Sequence, residues 1–338
     1  MRYTLNTMIL AAAVAAASVL SARASTITMA MVTVGDPGNA ADTTGYGDVS
    51  YTYQMGKYDV TAAQYAAFLN AVATTSDTYG LYNGGMATDF PTVGIAQSGG
   101  PGSYSYSVIG NGNVPVFDVT WGDAARFSNW LQNGQPNAPE GNGTTETGAY
   151  TLNGAMTISA LMAITRNAGA TYFIPTENEW YKASYYKGGS TSAGYWTYPT
   201  KSNTAPINTL PDTGHNANFY DAYDTGNGTY TDPANYLTPV GAFSASPGPY
   251  GTFDQGGDLF QWNEANISGE CRGLRGASWR DYSGFLASSF GGGSYPAYES
   301  NIFGFRVASS AGSPEPGGIA MLLAGALAFG IWRLRRNA

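Results

Sequence analysis

Residues 249–262 combine acidic side chains, paired glycines and large aromatic rings in one short stretch, Pro-Tyr-Gly-Thr-Phe-Asp-Gln-Gly-Gly-Asp-Leu-Phe-Gln-Trp. The short carboxylate side chains of Asp254 and Asp258 can bind backbone amides in a turn or coordinate a hard cation. Gly256 and Gly257 between them allow backbone angles that strain other residues. The pattern predicts a tight loop that feeds a buried strand, anchored by Leu259, Phe260 and Trp262.

Histidine-dependent chemistry has little support in this chain. His215 is the single histidine, and no Gly-x-Ser-x-Gly nucleophile elbow occurs. A Ser-His-Asp triad would have to use that one residue. Zinc or iron centres built from several imidazoles need more than one histidine. The sequence therefore argues against a triad hydrolase and excludes a multi-histidine metal site.

Three segments carry the sequence signature of a helix start. Each places a threonine hydroxyl that can cap an early amide, followed by a polar side chain that can bond back to the cap. The motifs are Thr61-x-x-Gln64, Thr120-x-x-Asp123 and Thr176-x-x-Glu179. One such cap stabilises a helix by about 1 kcal/mol. Apolar residues follow the first two caps at helical spacing, so we predict helices that each bury one face.

The rest of the chain shows little periodicity. Between residues 27 and 55 the apolar residues partly alternate, which predicts strands on either side of a loop at residues 37–47. Residues 73–114 and 185–236 are rich in Gly, Tyr and Ser without a clear period. We therefore expect long ordered loops in both segments.

The composition is that of a loop-rich, acidic chain. Of 338 residues 11% are charged, and there are 45 glycines and 25 tyrosines, which favours loops and aromatic clusters over long helices. The formal net charge of −8 argues against a nucleic-acid partner, because phosphate binding requires a basic surface. We interpret the charge as a solvated acidic surface on one domain with two terminal extensions.

Residues 1–24 have the pattern of a secretory signal peptide. Arg2 precedes an apolar run at residues 8–20, and Ala22-Arg23-Ala24 offers a small-x-small cleavage site. The mature chain would then begin near Ser25. In an exported chain the single cysteine, Cys271, cannot form an internal disulfide, which leaves a buried apolar thiol or an intermolecular link.

Residues 310–338 form a second targeting pattern. A linker is followed by Pro-Glu-Pro at residues 314–316, a small and apolar run at residues 317–332, and Arg333, Arg335 and Arg336. The run is slightly short for a permanent span of about 17 to 25 residues, and its arginines follow the positive-inside rule. The pattern resembles the PEP-CTERM sorting signal, which implies transient inner-membrane anchoring and cleavage by an exosortase-type processing enzyme. A plain C-terminal anchor is the alternative, and both place residues 25–313 outside the inner membrane.

Residues 53–308 carry six motifs in the order in which one family shows them. They are Gly-Lys-Tyr-Asp-Val-Thr at 56–61, Pro-Val-Phe-Asp-Val-Thr-Trp at 115–121, Pro-Thr-Glu-Asn-Glu-Trp at 175–180, Pro-Val-Gly at 239–241, Gly-Asp-Leu-Phe-Gln-Trp at 257–262 and Gly-Phe-Arg at 304–306. The chain resembles a sulfatase-modifying-factor domain, the fold of formylglycine-generating enzyme. The resemblance implies an α+β, C-type-lectin-like fold over residues 25–309, with small twisted sheets, few short helices and much irregular chain.

The same resemblance locates the family's oxidase chemistry in two cysteines between a Gly-Gly-Ser-Trp-like motif and the closing Gly-Phe-Arg. Their thiolates bind one copper ion, since Cu(I) selects soft sulfur ligands. Residues 280–291 contain no cysteine here, and Cys271 precedes Trp279. We therefore expect neither copper nor the oxidase activity. The related sulfoxide synthases hold iron with three histidines, which this chain lacks.

The resemblance also implies two calcium ions. The first would use the side chains of Asn218 and Asp232 with the carbonyl groups of Phe219 and Ala234. The second would use the side chains of Asp254 and Gln261 with the carbonyl groups of Gly257 and Leu259. Calcium accepts such oxygen ligands at irregular spacing. Gln261 stands where the family usually has Glu, and the alternative is that these polar residues only close turns.

Three functions follow as hypotheses. The first is an exported binding or structural module without the copper site, with a surface polysaccharide or another exported protein as partner. The second is a formylglycine-generating oxidase that acts on a sulfatase cysteine. The third is an extracellular carbohydrate-binding module, because Tyr and Trp faces stack on sugars, although buried tyrosines would explain the composition equally well.

Overall fold

The structure, a computed structural model, describes residues 26–189, 193–221 and 228–310. The predicted signal peptide at residues 1–24 and the predicted sorting signal and membrane segment beyond residue 310 lie outside the described residues. Within the described part of the chain, no helix has both the length and the apolar character that crossing a membrane requires.

The described residues form five α-helices, and all three predicted capping boxes start one of them. The helices are α1 (Ala62–Val72), α2 (Gly85–Thr88), α3 (Trp121–Gln132), α4 (Ile158–Met162) and α5 (Glu177–Tyr185). Ahead of α1, α3 and α5 the threonine hydroxyl accepts from the amide of the third helical residue, whose side chain accepts from the amide of the threonine. This reciprocal bonding confirms the three predicted helix starts.

Two small four-stranded sheets and one hairpin make up the strand content of the described chain. The first sheet is wholly antiparallel, in the order β1 (Met31–Val34), β2 (Tyr53–Gly56), β10 (Ala308–Ser310) and β5 (Tyr172–Phe173). The hairpin pairs β3 (Gly94–Ser98) with β4 (Ser105–Ile109). The second sheet has the order β8 (Gly292–Ser294), β7 (Cys271–Arg275), β6 (Phe260–Ile267) and β9 (Phe303–Gly304), with β6 and β9 parallel.

Edge-to-face aromatic contacts fill the core between α1, α3 and the end of the domain. The ring of Phe127 lies 5.4 Å from that of Phe68 and 5.3 Å from that of Phe305, both at steep angles. Such pairs stabilise a core by about 0.5–1.5 kcal/mol beyond their buried area. Trp262 is fully buried in β6 and donates its indole N–H to the Val119 carbonyl at 3.0 Å, which confirms the buried strand predicted after the glycine turn.

The structure corrects the prediction for residues 73–114, which hold α2 and the β3–β4 hairpin rather than loops alone. Tertiary contact stabilises this hairpin, because the Asn70 side chain of α1 exchanges hydrogen bonds of 2.7 and 3.0 Å with the backbone of Tyr106. The predicted first strand pair is shorter than expected, and Val49 and Tyr51 lie in a loop. Between residues 185 and 236, the described positions outside α5 form only isolated bridges, as expected for irregular chain.

Candidate functional site

A cleft of about 640 Å³ opens between the loop after β1 and the start of α5. We call it the tyrosine cleft. Its walls combine two exposed aromatic rings with acidic and amide side chains; they are formed by Gly45, Tyr46, Asp48, Val49, Ser50, Tyr51, Thr176, Glu177, Asn178, Glu264 and Ala265. Concave sites of this size with a few polar groups are where small ligands bind in proteins.

Asn178 in the first turn of α5 fixes the loop that forms one wall. Its side-chain oxygen accepts from the amide of Gly47 at 3.0 Å, and its side-chain nitrogen donates to the Asp48 carboxylate at 2.7 Å. Gly47 has φ of +95°, and a Cβ there would lie 2.6 Å from the Tyr195 hydroxyl. Only glycine fits this position, so the loop has one geometry against α5.

The floor of the cleft is an ion-pair network centred on Arg166, and we call Arg166, Glu179 and Glu264 the cleft floor. The guanidinium donates to both oxygens of Glu179 at 3.1 and 2.8 Å and to both oxygens of Glu264 at 2.9 and 2.8 Å. Its planar fork suits two such bidentate contacts. Two tyrosine hydroxyls complete the network, Tyr51 to Glu179 at 2.8 Å and Tyr150 to Glu264 at 2.6 Å.

Charge pairing controls the protonation of the cleft floor. Burial alone would lower the pKa of Arg166, but the two carboxylates raise it above its ordinary value. Burial opposes ionisation of Glu179, yet the hydrogen bonds and charge of Arg166 lower the pKa of this carboxyl. Burial raises the pKa of Glu264 despite the same guanidinium. Glu179 is thus held as an anion that orients the Tyr51 hydroxyl.

A second ion pair closes the far wall. Glu177 pairs with Arg275 at 2.5 Å and accepts from the Asn263 side chain at 2.6 Å. Arg275 is nearly buried and also donates to the Ser288 carbonyl at 2.9 Å and to that of Phe290. The carboxylate of Glu177 is therefore committed to the protein, although the residue lines the cleft.

A different network surrounds Arg306 in the interior, and we call Arg306, Asp59, Asp254 and Gln261 the arginine hub. Arg306 lies 3.0 Å from Asp59 and donates to Gln261 at 2.7 Å and to the carbonyl groups of Gly56 and Phe253 at 2.9 Å each. Burial raises the pKa of Asp59, which Arg306 opposes, and burial lowers the pKa of Arg306, which Asp59 opposes. The hub joins β2, β6 and the segment between β9 and β10 around one guanidinium.

The residues predicted for the first calcium ion do not all have free oxygens: Asn218 has one, whereas Asp232 and the Phe219 carbonyl already accept hydrogen bonds. The Oδ1 atom of Asn218 is buried and has no hydrogen-bond partner among the described residues, which suits a metal ligand. Asp232 instead accepts from the amides of Ala234 and Asn235 at 2.8 and 3.1 Å in its own turn. The Phe219 carbonyl accepts from the Asn208 side chain at 3.0 Å. Tyr236 links the two parts, since its carbonyl accepts from Asn218 and its amide donates to the Asp232 carbonyl.

Of the residues predicted for the second calcium ion, Asp254 and Gln261 belong to the arginine hub, and Gly257 and Leu259 lie in the turn between them. Asp254 and Gln261 are in direct contact, because the side-chain nitrogen of Gln261 donates a hydrogen bond to the backbone carbonyl of Asp254 at 2.7 Å. The Asp254 Oδ1 atom is buried without a partner in the described chain, which fits a cation. Gln261 Oε1, in contrast, already accepts hydrogen bonds from Trp180 at 2.8 Å and from Arg306 at 2.7 Å, so this oxygen does not fit a cation. The glycine between them is needed, since a Cβ on Gly257 would lie 2.0 Å from the Asn218 carbonyl.

Within residues 26–189, 193–221 and 228–310, no three or more His, Cys, Asp or Glu side chains are grouped to hold a metal ion. A calcium ion at either predicted position would therefore depend on amide and carbonyl oxygens in addition to one carboxylate, Asp232 or Asp254. If bound at the second position, calcium would neutralise the buried Asp254 carboxylate and tie the turn to β6.

Residues 280–291, where the family resemblance located two cysteines, contain no thiol. Ser278 donates to the Asp281 carboxylate through its amide, at 3.0 Å, and its hydroxyl. A 3₁₀ helix, Ser283–Leu286, follows, and the Tyr185 hydroxyl donates to the Leu286 carbonyl at 2.9 Å. Cys271 is the first residue of β7, outside this segment. The residues present do not fit a copper ion held by two thiolates.

The tyrosine cleft has no signature in the sequence. Tyr51 belongs to an alternating pattern that predicts a strand, and the motif at Thr176 predicts only the capping role of Glu179, which lies 2.6 Å from the Thr176 amide. Arg166 and Glu264 carried no local signal, because their pairing spans 98 positions of the chain.

Comparison with known proteins agrees with this architecture. The sequence profile of the sulfatase-modifying factor enzyme 1-like domain matches residues 25–311. A structure described as the crystal structure of CarF covers 83% of this chain and 98% of its own at 20% identity, with a TM-score of 0.50. The structure of Treponema denticola variable protein 1 covers 85% of this chain and 98% of its own at 18% identity, with a TM-score of 0.48. The structure of PvdO from Pseudomonas aeruginosa covers 84% of this chain and 93% of its own at 17% identity, with a TM-score of 0.42. No curated protein matches the sequence.

Proposed function

We propose, from the premise that the chain belongs to the sulfatase-modifying factor enzyme 1-like domain family, that it is an exported binding module without the family's copper oxidase site. The observation that carries the proposal is the content of residues 280–291, which offer hydroxyl, carboxylate and apolar side chains but no thiol. The scaffold around this segment is retained, and the tyrosine cleft gives it a surface suited to a ligand.

The thiol content of the chain supports the binding module over the oxidase. Cu(I) held by two protein sulfurs needs two cysteines within reach of one ion. Cys271 is the single cysteine of the chain, so no second thiolate is available within one molecule. Oxidation of a sulfatase cysteine to formylglycine by the family's chemistry therefore has no site here.

The test is a peptide-oxidation assay with the purified protein, Cu(I), oxygen and a Cys-x-Pro-x-Arg peptide, read by mass spectrometry. We expect no aldehyde above a reaction without protein. A formylglycine-generating enzyme with its cysteine pair serves as the positive control. Aldehyde formation by the wild type would overturn the proposal, and a Cys271→Ser variant would then show whether the activity depends on the thiol.

Export is part of the proposal and is supported by the two terminal patterns. Signal cleavage near Ser25 and sorting cleavage near residues 314–316 would leave the matched domain at the cell surface or outside the cell. A partner would then be a surface polysaccharide or another exported protein. Mass spectrometry of the extracellular protein checks this, and peptides that contain Arg335 in that fraction would count against sorting cleavage.

A further inference from the structure

We infer that the tyrosine cleft binds a neutral oligosaccharide, an inference that rests on the proposed binding function and specifies its ligand. The first observation is the pair of rings at its mouth. Tyr46 and Tyr51 are 37% and 47% exposed, whereas most large aromatic side chains of the described chain are buried or half-buried. Exposed rings beside a cleft present the flat apolar faces on which the C–H faces of sugars stack.

Both rings are fixed from behind. The Tyr46 ring lies 5.9 Å from that of Tyr181 and has the Arg275 guanidinium 5.1 Å from its centre. The Tyr51 hydroxyl donates to Glu179 in the cleft floor at 2.8 Å. A side chain that is already immobilised loses little conformational entropy on binding, so these rings are pre-organised contact surfaces.

The polar groups between the rings suit hydroxyl groups. The Asp48 carboxylate and the Asn178 amide form one hydrogen-bonded pair at 2.7 Å, and Asp48 is exposed. A paired carboxylate and amide together accept from and donate to neighbouring hydroxyls, the pattern that a sugar ring presents. The cleft thus offers exposed apolar rings together with hydrogen-bonding groups.

Charge favours a neutral ligand over a charged one. Glu177 and Glu264 are engaged by Arg275 and Arg166, which leaves Asp48 as the cleft-lining carboxylate without an ion pair in the described part of the chain. One exposed carboxylate offers little selectivity for a basic peptide. It also repels an anionic polysaccharide, because the nearby guanidinium groups of Arg166 and Arg275 are already paired with carboxylates.

The test is isothermal titration of the purified protein with neutral hexasaccharides of glucose, mannose, galactose and N-acetylglucosamine. We expect at least one to bind, and Tyr46→Ala to weaken that binding by about tenfold, the effect of truncating a central aromatic contact. Tyr298→Ala is the matched control, because Tyr298 is 56% exposed and does not line the cleft. We expect wild-type affinity and melting temperature for this control, and a small fall in melting temperature for Tyr46→Ala, which loses its ring contacts with Tyr181 and Arg275.

Failure of every hexasaccharide to bind, or binding that Tyr46→Ala leaves unchanged, would overturn the inference. Preferential binding of a lysine-rich peptide to the wild type, lost in Asp48→Asn, would also overturn it, because the cleft would then select positive charge. The peptide-oxidation assay is independent of these titrations. An active oxidase would refute the proposed function, whereas an inactive protein that binds no sugar would refute only the ligand assignment.

Discussion

The arginine hub and the cleft floor use the same chemistry, a guanidinium between carboxylates, in different surroundings. In the hub the side chains of Arg306 and Asp59 are 0% and 1% exposed. In the cleft floor Arg166 and Glu264 are 19% and 13% exposed. Arg306 bonds mainly to backbone carbonyls and an amide, whereas Arg166 forks onto two carboxylates.

Access to water separates their roles. Charges removed from water stabilise a fold only while every partner is present, so we assign the hub to holding the chain together. Charges that water still reaches can exchange partners at lower cost, so we assign the cleft floor to supporting a surface that meets ligands.

The largest expected effect separates the two arginines directly. Arg306→Met leaves Asp59 buried without its partner, so we expect the free energy of unfolding to fall by about 3–5 kcal/mol. Arg166→Met leaves Glu264, which water partly reaches, and the buried Glu179, which keeps its hydrogen bonds from the Tyr51 hydroxyl and the Thr176 amide. We therefore expect a smaller loss of about 1–3 kcal/mol. Urea unfolding at pH 7 measures both.

The control for this comparison also removes the buried Asp59 carboxylate that Arg306→Met leaves without a partner. Asp59→Asn combined with Arg306→Met should recover part of the stability that Arg306→Met loses, because no buried carboxylate is left uncompensated. A double variant no more stable than Arg306→Met would contradict the assignment of a buried charge to the hub.

A second prediction asks whether the hub also holds calcium through the unpartnered Asp254 oxygen. Calcium bound only to the folded state at a hundred times its dissociation constant stabilises it by about 2.7 kcal/mol. We expect the melting temperature of the wild type to rise from chelator to millimolar calcium, and Asp254→Ala to lose this rise. Thermal unfolding followed by circular dichroism measures it.

Asp232→Ala tests the first predicted ion in the same experiment. A reduced but persistent rise in this variant would indicate two sites, whereas an unchanged rise would assign the effect to Asp254 alone. If chelator leaves the wild type unchanged, the predicted calcium ligands only close turns and Arg306 is the sole cation of the hub.

The smallest effect concerns the pH dependence of stability, which has one sign for Asp254 and Asp258 and the opposite sign for Glu179. Burial raises the pKa of Asp254 to about 6, and burial with the charge of Asp254 raises that of Asp258 to about 7. A folded carboxyl with a raised pKa binds its proton more tightly than the unfolded chain does, so stability falls as pH rises from about 4 to about 7. Glu179 has a lowered pKa, so its contribution is present above the ordinary carboxyl pKa and is lost in acid.

Asp258→Asn should reduce the fall in the free energy of unfolding as pH rises. The asparagine side chain does not titrate, and it keeps acceptor and donor atoms for Thr238 and Asn218. We expect this variant to gain about 2–3 kcal/mol relative to the wild type between pH 5 and pH 8, because the folded pKa of about 7 lies about two units above pH 5. Urea unfolding across that pH range, in the presence of chelator, measures the difference. Glu179→Gln is the comparison variant, because it removes a contribution to stability that is lost in acid rather than at higher pH. Parallel pH profiles for wild type and Asp258→Asn would contradict the raised pKa of Asp258.

Local signals in the sequence predicted several elements correctly. The three threonine caps act within four residues of chain, so the motif contains all the atoms of the interaction. The glycine turn before β6 is local for the same reason, and Gly257 adopts φ of +87° there. The family motifs gave the α+β fold, which the profile match and the architecture support.

The β3–β4 hairpin and the calcium residues show where local signals fail. Asn70 bonds to the hairpin backbone from another element, 36 positions away. Gln261 has the position expected of a calcium ligand, but Trp180 and Arg306 occupy its side-chain oxygen from 81 and 45 positions away. The sequence shows which side chains carry an oxygen that could bind calcium. The fold decides whether that oxygen is still free of hydrogen bonds.

By itself, the sequence determined the helix starts, the glycine turn, the family and the lack of a thiol pair, because each depends on neighbouring residues or on residue counts. The tertiary structure decided that Tyr51, Arg166, Glu179 and Glu264 form one network beneath a cleft. Their spacing carries no period, since hydrogen bonds and ion pairs depend on distance in space, and only the packing of α5 against β6 and the loop after β1 brings these side chains within 3 Å.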